Sequence, residues 1–122
     1  CLWFENGGAW NFVPHRIARF GGTYAAATGD LDGDGDLDIA LVSMSNDWND
    51  ARNASAAWLE NDGNQNFRTW LLATSPVALI TVACGDLNGD GRADVVAGGL
   101  ELPANPLHRS IERLPIWLSR RP

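Results

Sequence analysis

Short apolar runs alternate with clusters of Asp, Asn and Gly along most of the chain, which predicts strands joined by tight turns rather than helices. Ile39-Ala40-Leu41-Val42-Ser43 and Val95-Val96-Ala97-Gly98-Gly99 are short, apolar and partly β-branched, as buried strands are. Around them the pattern predicts strands over 24–28, 39–44, 56–60 and 67–73. Further strands follow at 79–84, 95–99 and 116–118, and two precede at 2–5 and 12–18. Asn6-Gly7-Gly8 and Asn61-Asp62-Gly63-Asn64 supply turn residues that tolerate positive φ. No stretch sustains a helical period. The nearest, 106–114, is confined by Pro103, Pro106 and Pro115.

The pattern repeats. Trp3-Phe4-Glu5-Asn6-Gly7-Gly8 aligns with Trp58-Leu59-Glu60-Asn61-Asp62-Gly63 at an offset of 55, and Asn11-Phe12 with Asn66-Phe67 at the same offset. Asp30-Leu31-Asp32-Gly33-Asp34-Gly35-Asp36-Leu37-Asp38 then aligns with Asp86-Leu87-Asn88-Gly89-Asp90-Gly91-Arg92-Ala93-Asp94 at an offset of 56. Ile116-Trp117-Leu118 reads as the start of a third copy of the Trp segment, so Trp3, Trp58 and Trp117 are expected at equivalent positions between blades. Four short strands in about 50 residues is the signature of a β-propeller blade. The expected fold is therefore all-β: a partial blade over 1–21, a complete four-stranded antiparallel blade over 22–75 and a second partial blade over 76–122. At 122 residues the chain is too short to close a propeller of four to eight blades, so a segment of a longer protein, or a subunit forming a ring with other copies, is expected.

The Asp-rich loops carry the candidate chemistry. Hard cations such as calcium take six to eight oxygen ligands, and carboxylates spaced along a tight loop provide them. Side-chain oxygens stand at the first, third, fifth and ninth positions: Asp30, Asp32, Asp34 and Asp38, then Asp86, Asn88, Asp90 and Asp94. The seventh residue, Asp36 or Arg92, can offer its backbone carbonyl. Asp, Asn and Gly also build ordinary turns, but four carboxylates crowded into nine residues repel one another without a cation. The second loop has one ligand charge fewer and carries Arg92, so it is expected to bind more weakly. An EF-hand is excluded: its twelfth position needs a bidentate Glu, and here that position is Leu41 or Ala97, inside a predicted strand.

With their flanking residues, Gly29 to Ile39 and Gly85 to Val95, the loops resemble the FG-GAP/VCBS-type repeat, which also builds the calcium-binding blades of integrin α-subunit propellers. The Trp-Phe-Glu-Asn-Gly and Trp-Leu-Glu-Asn-Asp-Gly segments are similar to those of bacterial VCBS-repeat proteins. The resemblance implies two structural calcium ions, each held between the first two strands of a blade by loop carboxylates and one carbonyl. It implies an extracellular or cell-surface, non-enzymatic module for adhesion or ligand recognition, whose partners are a protein or glycan and further blades. Two alternatives stay open: a carbohydrate-binding, lectin-like propeller, and a non-catalytic scaffold of a polysaccharide-degrading enzyme. Residues 101–113 fit no part of the repeat and are expected to be an insertion between strands.

Charge and composition refine this picture. The net charge is -6, and the two loops hold five and three of the fifteen acidic residues, so acidity marks ion sites rather than a general acidic surface. All nine basic residues are Arg, too scattered for a nucleic-acid interface. Among the six tryptophans, Trp48, in Asn46-Asp47-Trp48-Asn49-Asp50, is the candidate for stacking on a sugar ring. His15 and His108 are isolated, and no nucleophile elbow is present. Cys1 and Cys84 make no disulfide framework, and Asn53-Ala54-Ser55 matches a glycosylation sequon. No apolar run is long enough to span a bilayer as a helix.

Overall fold

In the computed structural model, residues 1–47, 53–100 and 114–119 are described. Among them nine strands form three antiparallel sheets and no helix occurs. β1 (Leu2–Asn6) and β2 (Phe12–Arg16) form a hairpin. β3 (Thr23–Gly29), β4 (Asp38–Ser43), β5 (Ala56–Asn61) and β6 (Phe67–Ala73) form a four-stranded meander. β7 (Leu79–Gly85), β8 (Asp94–Gly99) and β9 (Ile116–Trp117) form a three-stranded sheet. The chain is thus all-β, one complete blade between two partial ones.

Period-two alternation sets which residues meet between the sheets. Ala40 and Val42 of β4, Ala56 and Trp58 of β5, and Ala25 of β3 face the three-stranded sheet, and pack against Leu79, Val82, Val95, Ala97 and Trp117. Leu41, Ala57 and Leu59, on the opposite face of the meander, are also fully buried. A completely buried Leu or Val side chain contributes about 1.5–3 kcal/mol relative to exposure. Small residues dominate the meander's inner face, so the sheets come close where β3 enters the first loop.

Strand register corrects one expectation. Val95 pairs with Trp117, as Ile39 pairs with Leu59, so Trp117 takes the place of Leu59, and Ile116 that of Trp58. Trp58 and Trp117 therefore reach the same inter-sheet core from opposite sides, and are not repeat equivalents. The misalignment arose because β9 is only two residues long, leaving the tryptophan as the one visible landmark. Trp3 and Trp58 are equivalent as expected: Trp3 pairs with and stacks on His15 (4.7 Å), as Trp58 does on Trp70 (6.1 Å). Even the polar partner repeats, since His15 Nε2 meets Glu5 and Trp70 Nε1 donates to Glu60. The expected insertion at 101–113 and Trp48 lie outside the described residues.

Candidate metal centre

Each Asp-rich loop connects the first two strands of a sheet, β3 to β4 and β7 to β8. Both turn through left-handed glycines, Gly35 at φ 97° and Gly91 at φ 86°, a conformation in which a Cβ costs about 1–2 kcal/mol. Gly33 and Gly89 are left-handed as well.

The loops share one hydrogen-bond scheme, centred on the first carboxylate. Gly33 N–H and Gly35 N–H donate to the two oxygens of Asp30, at 2.7 and 3.0 Å. Gly89 N–H and Gly91 N–H donate to Asp86 in the same way, at 2.7 and 2.9 Å. The ninth-position carboxylate closes the loop. Leu31 N–H and Asn61 N–H donate to Asp38 at 3.0 and 2.8 Å, and Leu87 N–H and Ser119 N–H to Asp94 at 2.9 and 2.8 Å. Asp38 and Asp94 are fully buried. Asn61 and Ser119 escaped the sequence reading as parts of the site. Asn61 left a trace in the repeated Glu-Asn dipeptide of β1 and β5, whereas Ser119 left none.

The first loop brings Asp30, Asp32 and Asp38 together, with one oxygen of each within 4.8 Å of the others. Asp34 and Asp36 lie outside that triplet. Asp34 accepts the Asp36 N–H at 2.9 Å, and the Asp36 carboxylate lies against Gly63 in the turn between β5 and β6. In the second loop the matching positions are Asp86, Asn88 and Asp94, and the Arg92 guanidinium stands 3.6 Å from Asp90. A donor set made only of oxygen suits a hard cation. A cleft of about 310 Å³ opens beside the first loop between the two larger sheets, bordered by Asp32, Trp58, Arg92 and Trp117.

Electrostatics separate the loops. The Asp32 carboxyl is raised above 3.8 by burial and then by the charges of Asp34, Asp38 and Asp30. Asp38 is raised mainly by burial, against the pull of its two backbone donors. The Trp58 indole N–H lies near enough to favour the Asp38 carboxylate but completes no hydrogen bond. Asp86 is lowered, chiefly by the Gly91 N–H, and Asp94 chiefly by the Leu87 N–H. At Asp94 hydrogen bonding outweighs burial. The sign follows by linkage. The raised carboxyls of Asp32 and Asp38 add stability below 3.8 that is lost as pH rises through their folded-state values. Those of Asp86 and Asp94 add stability above 3.8 that is lost as pH falls through theirs. A carboxyl-carbon NMR titration in chelator is expected to show Asp38 titrating above 3.8 and Asp94 below it; the reverse order would refute this contrast.

A family model described as an FG-GAP-like repeat matches residues 1–41 and again residues 40–97. The chain belongs to the FG-GAP-like repeat family. Neither a curated protein nor a solved structure is matched. The FG-GAP-like units run out of phase with the sheets: the first starts just before β1 and ends inside β4, and the second runs from inside β4 to inside β8. Each unit therefore contributes strands to two successive sheets and ties them covalently. FG-GAP-like repeats are typically structural, non-catalytic modules and occur in extracellular proteins. Among the described residues no helix is long and apolar enough to cross a membrane.

Proposed function

We propose that this FG-GAP-like chain is a calcium-stabilised, non-enzymatic propeller module of an extracellular protein, serving adhesion or ligand recognition. The observation that carries the reading is the convergence of the Asp30, Asp32 and Asp38 oxygens on a loop whose shape is already held by backbone N–H donors. The carboxylates of Asp30, Asp32, Asp34 and Asp38 with the Asp36 carbonyl would hold the first ion. Asp86, Asn88, Asp90 and Asp94 with the Arg92 carbonyl would hold the second. Calcium would supply the positive charge that the crowded carboxylates of the first loop lack, raising stability by mass action. The chain's residues do the rest: they hold the first and ninth carboxylates in place and join adjacent sheets around them. Partners would be a protein or glycan ligand and further blades, contributed by the same polypeptide or by other copies.

The two sites would differ in strength. The second has a neutral amide at its third position, and Arg92 competes for Asp90. In calorimetric titrations Asp34→Asn is expected to weaken the tighter site about tenfold, roughly 1.4 kcal/mol. Asp90→Asn is expected to weaken the looser one by a similar factor. Calcium binding in both variants indistinguishable from the parent would overturn this ligand assignment.

A further inference from the structure

The two loops touch, and the contact involves the backbone that the second would use to hold its ion. Ala93 N–H donates to the Asp30 carbonyl at 2.7 Å, a bond from the eighth position of the second loop to the first position of the first. That N–H belongs to the same peptide unit as the Arg92 carbonyl, the seventh-position oxygen. In a trans peptide the N–H and C=O point in opposite directions within one plane, so anchoring one aims the other. A hydrogen bond at the N–H also polarises the unit and strengthens its carbonyl as a donor of electron density.

Side chains enforce the same seating. A Cβ on Gly29, just before Asp30, would stand 2.8 Å from the Cβ atoms of both Ala93 and Cys84. A Cβ on Gly33 would stand 2.8 Å from Cγ and Cδ of Arg92. Arg92 itself is 8% exposed, laid against the first loop instead of extending into solvent. Positions seven and eight of the second loop thus rest on Gly29, Asp30 and Gly33 of the first.

The geometry points to positive coupling between the two cation sites, with the Asp30 peptide acting as a positioning group for the Arg92 carbonyl across the inter-sheet boundary. The inference rests on the calcium reading above. The Asp30 carboxylate organises its own loop through Gly33 and Gly35, while its carbonyl holds the peptide plane of the other. A cation that orders the first loop therefore also aims a ligand of the second, and linkage makes the effect reciprocal.

Calcium titrations of the parent are fitted together with those of two disabled variants. Asp32→Ala/Asp34→Ala removes the first site and Asn88→Ala/Asp90→Ala removes the second. Each surviving site is expected to be weaker than in the parent by about fivefold or more, and by the same factor in both directions. Gly29→Ala alters no proposed ligand but forces the loops apart. It is expected to fill both sites with the coupling abolished. Exchange of the Ala93 amide, followed by NMR, adds a readout that does not depend on that variant folding: protection should fall in Asp32→Ala/Asp34→Ala. Surviving sites with unchanged affinity, or an equally protected Ala93 amide, would overturn the coupling while leaving calcium binding intact. No calcium binding in the parent would overturn the calcium reading itself, and the coupling with it.

Discussion

In millimolar calcium the protein is expected to melt about 10 °C higher, for each filled site, than in excess chelator. An ion present at a hundredfold over its dissociation constant and bound only by the folded chain adds about 2.7 kcal/mol. A change of 1 kcal/mol moves the midpoint of a domain this size by about 4 °C. The first loop should contribute the larger share, because more carboxylate charge is gathered there and burial, reinforced by neighbouring charges, disfavours the ionised forms of Asp32 and Asp38 without a cation. Magnesium should raise the midpoint less, since it demands compact octahedral geometry and gives up its water reluctantly. Calorimetric melts in the two ions and in chelator check this. A folded sample whose midpoint ignores calcium would mean that the loops are turns held by Asp–backbone hydrogen bonds alone.

The second large effect is expected at Asp38. In chelator, Asp38→Ala should lose about 2–4 kcal/mol, because two buried backbone donors, Leu31 N–H and Asn61 N–H, would each lose their acceptor. The loss is tempered by removal of a buried carboxylate whose charged form is disfavoured where it stands. The same substitution should also remove the calcium-dependent rise of the first site. Asp34→Asn is the informative contrast. Asp34 is exposed, so its replacement should leave stability in chelator within about 0.5 kcal/mol of the parent while still weakening calcium binding. Denaturant unfolding of both variants, with and without calcium, separates a buried carboxylate that builds the fold from an exposed one whose negative charge serves the ion. Equal losses for the two in chelator would contradict this division of roles.

The fold was readable in advance because its determinants are local. Runs such as Ile39 to Ser43 and turns such as Asn61 to Asn64 declare themselves within a few residues, and two copies in the same order revealed the blade. The Asp-rich loops were readable for the same reason, since a nine-residue spacing of carboxylates is a property of one segment. Trp117 shows where this stopped. Its register depends on pairing with Val95 and on Ser119 N–H reaching Asp94, a contact 25 residues apart in sequence.

By itself, the sequence determined an all-β repeat with two oxygen-rich loops, because strand alternation, turn chemistry and carboxylate spacing all act over short stretches of chain. Only the tertiary structure decided that oxygens of Asp30, Asp32 and Asp38 converge within 4.8 Å of one another, and that the backbones of Asn61 and Ser119 close the loops. It also decided that the Asp30 carbonyl grips the peptide of Arg92 and Ala93. The loop closures depend on strands distant in sequence pairing within one sheet, and the Asp30–Ala93 contact on how two sheets dock through small residues such as Gly29, Ala40 and Ala93. No single segment encodes either.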